Sequence, residues 1–248
     1  MTGMAGATLL GDLTWPQAQR LAAAGAMLAV PVGSTEQHGP HLPLSTDTDI
    51  AVALTGRLAG LRPGVVVAPP VSYGSSGEHA GFAGTLSIGQ AAVELVLTEL
   101  GRSATETFGH LVFVSAHGGN AAPARQAVAR LLAESRDVLL WMPEPQAGPD
   151  LPPPDAHAGR TETALQLALT PYRVRSGLAE AGNTEPLPGL MPALRAGGMR
   201  AVSPNGVLGD PAGASRAEGA RLLDRLGADL AAAVEAWYPV PPPAGDQP

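Results

Sequence analysis

Ala26-Met-Leu-Ala-Val-Pro-Val32, followed at once by Gly33-Ser-Thr-Glu36-Gln-His38-Gly-Pro-His41-Leu-Pro-Leu-Ser-Thr-Asp47, decides how the chain reads. The first seven residues are apolar without alternation, the pattern of a short strand covered on both faces. The next fifteen break into Gly, Pro and polar residues and carry Glu36, His38, His41 and Asp47, each able to bind a divalent metal. Glu36 and His38 are two apart, so in an extended segment their side chains project to the same side. Pro40 and Pro43 bracket a loop that can return Asp47 to the same place. Carboxylates with imidazoles suit zinc, manganese or ferrous iron rather than calcium, which prefers oxygen alone. Taken singly, the stretch also reads as a polar surface loop after a strand.

The same rhythm recurs. Thr48–Leu61 has helical character and stops at Arg62-Pro-Gly64. Val65–Val71 is a second apolar run, followed by a Gly-rich loop over 72–89. Gln90–Phe108 is helical, with Val93, Val96, Leu97 and Leu100 at helical spacing. His110–Ser115 reads as a strand ending in His117-Gly-Gly-Asn120, Ala121–Ser135 as a helix, and Val138–Met142 as a strand. Upstream, Thr14 and Pro16 mark the start of a helix over Gln17–Ala24 that stops at Gly25. Strand, polar loop and helix in repetition predict a layered α/β/α fold with a mostly parallel central sheet, whose ligands bind outside the carboxyl ends of the strands. Right-handed crossovers bring those loops to one edge.

Downstream, Pro143–Pro154 reads as a loop within one domain. Thr161–Leu169 reads as a short helix, 176–211 as an irregular Gly/Pro-rich excursion, and Ala214–Trp237 as a long amphipathic closing helix. One domain over 1–239 with a disordered tail over 240–248 is the expected organisation.

Composition narrows the chemistry. All fifteen basic residues are arginine and there is no cysteine. Schiff-base lysines, a Walker lysine, thiol nucleophiles, disulfides and cysteine-ligated clusters are therefore excluded, leaving acid–base or metal mechanisms. A net charge of −7 argues against nucleic-acid or anionic-membrane partners. The apolar stretch 21–32 is too short to span a bilayer and no basic leader precedes it, so a cytoplasmic location is expected.

Four of the six histidines (38, 41, 117 and 157) fall in three loops. These loops hold Glu36/His38/Asp47, His117 with Gly118-Gly119-Asn120, and Asp155/His157/Glu162, which predicts one shared site. His41 is equally a loop residue, His110 at the start of a strand reads as structural, and Asp155 reads equally as a cap. Ser75, Glu78 and His79, in a further Gly-rich loop, are candidate substrate contacts, as is Asn120.

Gly33–Pro43, His79–Thr85, His117–Asn120 and His157-Ala-Gly-Arg-Thr-Glu-Thr163 resemble the creatininase family, in order over residues 26–170. The resemblance implies a layered α/β fold and an amidohydrolase site with two divalent metal ions per subunit (Fe²⁺ or Zn²⁺, with Mn²⁺ also suited). It also implies a homo-oligomer, hexameric in that family. By resemblance, Glu36, Asp47 and His117 hold one metal; His38, Asp47 and a further carboxylate hold the other. Creatininase places that carboxylate in a His-x-Glu-Asn arrangement, whereas this chain has Gly119 there, so the role passes to Glu162. That departure, and the lack of Trp in the segment leading to His157, point away from creatinine.

Val71–Phe82 and Ala201–Asp210 look like one branch of the family, the peptidases of mycofactocin biosynthesis. Those enzymes cut a C-terminal modified Val–Tyr dipeptide from a ribosomal precursor peptide after its oxidative decarboxylation. The expected chemistry is metal-assisted amide hydrolysis, with His157 as general acid–base and Glu162 as its rival in that role. The alternatives are a family amidohydrolase acting on creatinine or a formamide, and a non-catalytic metal-stabilised binding protein.

Overall fold

A computed structural model describes residues 6–144 and 155–239. Along them the chain forms β1 (Thr8–Leu9), α1 (Trp15–Ala23), β2 (Met27–Val32), α2 (Thr46–Leu61), β3 (Val65–Val67), α3 (Gly89–Ala104) and β4 (Leu111–Ser115). There follow α4 (Ala121–Ala133), β5 (Val138–Trp141), α5 (Arg160–Leu169), α6 (Leu187–Gly197), α7 (Met199–Val202) and α8 (Arg216–Trp237). The strands make one sheet in the order β1-β3-β2-β4-β5, with every pairing parallel. The expected tail over 240–248 and most of the Pro143–Pro154 loop lie outside the described residues.

The apolar runs are unbroken because both faces of the sheet are covered. Met27 and Ala29 of β2, Val65 and Val67 of β3, and Val112 and Val114 of β4 face one core, with Leu54 and Leu58 of α2, Leu165 of α5 and Leu223 and Leu230 of α8. The alternate residues Leu28, Val30, Val66, Leu111 and Phe113 face the other, against Val93 and Leu97 of α3 and Ala124, Val128 and Leu131 of α4. Period-two alternation is therefore present, but each side chain meets an apolar partner whichever way it points. The result is the expected three-layer arrangement. An ion pair between Arg160 of α5 and buried Glu218 of α8 (3.0 Å) ties together two helices of the first layer.

Three expectations need correction. The run Val65–Val71 is strand only to Val67, because Pro69 and Pro70 have no N–H for a ladder; Val71 returns as an isolated bridge to Val32. The helix expected to reach Phe108 ends at Ala104 and closes in a turn. The segment 176–211 is not irregular throughout but contains α6 and α7. Pro186, Pro188 and Pro192, with Gly189, Gly197 and Gly198, hid α6: two of the prolines lie within or before its first turn, where no intrahelical N–H is required. Pro192 sits inside it.

Candidate metal centre

Three strand-end loops and the start of α5 deliver the site. After β2 the chain passes Gly33, where any Cβ would overlap the backbone of Thr48, so loop and α2 approach as only glycine permits. Asp47 thus lies in the first turn of α2, its Oδ2 accepting from Ser34 Oγ (2.8 Å), while Thr48 Oγ1 donates to the Ser34 carbonyl (3.0 Å). His117 follows β4. Asn120 binds two loops into one, accepting from Ser75 N–H (2.9 Å) and donating to the Gly33 carbonyl (3.0 Å). The loop before α5 is pinned by an antiparallel bridge between His157 and Leu208. Within it Ala158 takes a left-handed φ of 53°, and its N–H donates to Glu162 Oε2 (2.5 Å).

The donor atoms converge on Asp47. Its Oδ1 is 3.2 Å from His38 Nε2, and its Oδ2 is 3.2 Å from His117 Nδ1. Each imidazole commits its other nitrogen to a backbone carbonyl: His38 Nδ1 donates to Glu36 O (3.1 Å) and His117 Nε2 to Ser75 O (2.9 Å). With a metal bound, the nitrogens turned toward Asp47 would carry the lone pairs, the form in which histidine binds metal. Glu162 Oε2 stands 3.8 Å from His38 Nε2, and Glu36 Oε2 stands 3.4 Å from His117 Nε2. The donor atoms of Glu36/Asp47/His117 and of His38/Asp47/Glu162 each lie within 4.8 Å of one another, as do those of Glu36/His38/His157. The two triads named first are those the resemblance implied.

Electrostatics identify what the cluster accommodates. Glu36 is 1% exposed, and neither carboxylate oxygen has a hydrogen-bond partner among the described residues. An orphaned, desolvated carboxylate demands a cation. Burial, and then Asp47, raise the Glu36 carboxyl to about 7. Burial pulls both imidazoles down, yet Asp47 and Glu162 lift His38 to about 10, and Asp47 with Glu36 lifts His117 to about 10. Asp47 stays well below its usual range: burial opposes ionisation, but His38 and His117 outweigh it. Burial raises Glu162 to about 7. Carboxylates and imidazoles crowded together draw positive charge inward, as protons or as cations, and the donor set fits divalent ions at two adjoining positions.

Gln37 organises the surroundings. Its Nε2 donates to His79 Nδ1 (2.9 Å) and Gly206 O (3.0 Å), and its backbone carbonyl accepts from His157 Nε2 (2.9 Å). His79 Nε2 lies 3.4 Å from Glu36 Oε1 and His157 Nδ1 lies 3.8 Å from the same oxygen, neither in hydrogen-bond geometry. Burial, then His38, holds His79 down to about 3 and His157 well below its usual value, so both are neutral. Sequence reasoning missed Gln37. Its only signal is its place between two ligand-type residues, with nothing to show that it turns inward.

A cavity of about 520 Å³ opens over the cluster, lined by Glu36, Asp47, Glu78, His79, His117, His157 and Glu162, with α6 opposite. Ser75 and Asn120 lie buried behind His117 and act through the contacts above. His41 is outside the triads, bonded through Nε2 to Thr163 Oγ1 (2.8 Å). Asp155 accepts from Thr161 N–H (3.2 Å) as a cap. His110 pairs with Asp137 (2.7 Å) at the far end of β4, a structural role.

The chain resembles known proteins along nearly its whole length. Residues 11–234 match the family described as Creatininase: creatinine amidohydrolase. It is 46% identical over 241 residues to the mycofactocin precursor peptide peptidase of Mycobacterium ulcerans, covering 94% of each chain. The protein of the same name from Mycolicibacterium smegmatis is 50% identical over 218 residues, 86% of each. Among solved structures, a creatinine amidohydrolase (creatininase) superposes with a TM-score of 0.80 at 26% identity, over 95% of this chain and 100% of that one. With the strand-end ligand clusters in place, these matches make the chain a member of the creatininase family.

Proposed function

We propose that this protein is a two-metal peptidase that releases the C-terminal modified Val–Tyr dipeptide from the mycofactocin precursor peptide. The observation that carries the reading is the orphaned Glu36 carboxylate beside an Asp47 shared by two triads. The likeness to the mycobacterial peptidases supplies the substrate. Glu36, Asp47 and His117 would hold one ion, and His38, Asp47 and Glu162 the other. Nitrogen and oxygen donors accommodate Fe²⁺, Zn²⁺ or Mn²⁺. Ions bound there supply the Lewis acidity that amide hydrolysis at neutral pH requires.

The chain's own residues do the rest. Asp47, fixed by Ser34, belongs to both candidate ligand sets, and Glu162, steadied by the Ala158 N–H, would complete the second. His157 has Nδ1 free of hydrogen bonds on the cavity wall; as a neutral imidazole with its proton on Nε2, it takes a proton at Nδ1 from the attacking water and passes that proton on to the leaving amine. Glu78 and His79 contact the peptide. No helix among the described residues is long and apolar enough to cross a membrane, and the protein works in the cytoplasm. Exposed Leu95, Val96 and Leu100 on α3 favour a homo-oligomer, a hexamer by family likeness.

The test is mass spectrometry of the decarboxylated precursor peptide incubated with metal-reconstituted protein, with Glu36→Ala and His117→Ala alongside. Release of the dipeptide by the wild type alone supports the reading. An intact peptide, with creatinine or a formamide hydrolysed instead, moves the protein to another branch of its family. A metal-loaded protein inert to all of them is a binding protein.

A further inference from the structure

The wall facing the metal centre comes from α6 and α7. Leu187, Met191, Leu194 and Arg195 follow at i, i+4, i+7 and i+8, which is one face of a helix, and all four line the cavity. Leu190, off that face and 4% exposed, anchors the helix against Met199 and Leu208. Gly198, at φ 70°, turns the chain into α7. Arg200 of α7 then lies over the Phe82 ring (4.4 Å) and donates to the Gly81 carbonyl (3.0 Å). The pair is thus fastened to the turn that carries Glu78 and His79.

The chemistry of this wall differs from that of the metal centre. It offers leucines, two of the chain's six methionines, Met191 and Met199, and at its end the Arg195 guanidinium. Thioethers adapt their shape and make favourable contacts with aromatic rings. A volume of about 520 Å³ is far more than a small polar ring fills, and lies in the range that encloses a ligand of dipeptide size.

Resting on the peptidase reading above, we propose that α6 and α7 form the subsite for the leaving-side residues. In this subsite the Met191–Leu194 face selects an aromatic side chain. The decarboxylated Val–Tyr end suits the cavity because its side chains are largely apolar and match the Met191–Leu194 face. Residues 176–211 thus act as the specificity element of the site.

The test is calorimetric binding of two probes to the metal-loaded protein: valyl-tyramine, the saturated analogue of the oxidatively decarboxylated dipeptide, and valyl-ethylamine, which lacks the ring. The wild type is expected to bind the first about tenfold or more tightly, as burial of an aromatic ring implies. Met191→Ala and the double variant with Leu194→Ala are expected to shrink that ratio below about threefold. Metal content should not change, and affinity for valyl-ethylamine should fall less than affinity for valyl-tyramine. Met191→Leu, which keeps the volume, should retain most of the preference and shows that the alanine variants have not merely unfolded. Equal affinity of the wild type for both probes, or a ratio that survives in both alanine variants, overturns the subsite. The peptidase reading fails separately: ring-dependent binding without cleavage of the precursor peptide sinks that reading and leaves the subsite. Cleavage with no ring preference does the reverse.

Discussion

Gly206 and Gln37, 169 residues apart, are in contact: Gln37 Nε2 donates to the Gly206 carbonyl at 3.0 Å, and a Cβ on Gly206 would overlap Gln37 Oε1. Gly206 also holds φ at 78°. The segment that looked peripheral in the sequence therefore locks the amide that orients His79 and His157. Gly206→Ala should cost the left-handed strain, about 1–2 kcal/mol, and in addition displace Gln37. Gly64→Ala is the control, with a φ of 82° and nothing within 4 Å of the added carbon. Denaturant melts should show both variants destabilised, the first more, while dipeptide release falls sharply in Gly206→Ala alone. Equal effects on activity would remove Gln37 from the argument.

Asp47 is the one carboxylate common to both proposed ion positions. Asp47→Asn keeps the shape and the hydrogen bond from Ser34 but halves the acceptor capacity toward His38 and His117. Elemental analysis should find both ions lost together, with affinity reduced more than about tenfold. In the metal-stripped variant the two imidazoles should titrate below the wild type's value of about 10, because Asp47 raises both. Loss of only one ion would assign Asp47 to a single site.

Stability against pH distinguishes the stripped protein from the loaded one. His38 and His117 are raised to about 10 when folded, against about 6.5 in an unfolded chain. Between those values the folded state binds more protons than the unfolded state, so stability falls as pH rises. The contribution is complete below about 6.5 and is lost through about 10. Chelator-treated protein should therefore show a falling denaturant midpoint from pH 7 to pH 10. Metal-loaded protein should not, because its ligand nitrogens carry no proton to lose. A chelated midpoint that rose over that range would contradict the geometry of the cluster.

Much of this was legible in the chain, for physical reasons that differ by segment. Met27–Val32 and Leu111–Ser115 could be read as strands because a doubly covered sheet leaves no polar face to confuse the pattern. The ligand residues could be read because they sit immediately beyond those strands. Thr8–Leu9 could not: two residues carry no periodicity, and their pairing with Val66 and Val67 is a tertiary fact. Helix α6 was hidden by its prolines, whose tolerance depends on where the first turn begins. Gln37 is polar and flanked by polar residues, and only the packing of Gly206, His79 and His157 around it turns it inward.

Gly119 provides the last test. A Cβ there would overlap the Ser75 carbonyl that accepts from His117, and would lie 2.5 Å from His117 Nε2 and 2.8 Å from Glu78 Oε1. Gly119→Ala must therefore push His117 off its carbonyl or Glu78 out of its place. Because φ at 119 is not left-handed, the backbone itself tolerates alanine. The fold should survive with a melting point within a few degrees of the wild type, while ion affinity falls by about tenfold or more. Gly118→Ala, with open space around the added carbon, should leave both unchanged. Wild-type metal binding in Gly119→Ala would show that His117 does not need the Ser75 carbonyl to present Nδ1, and the assignment of that nitrogen would have to be given up.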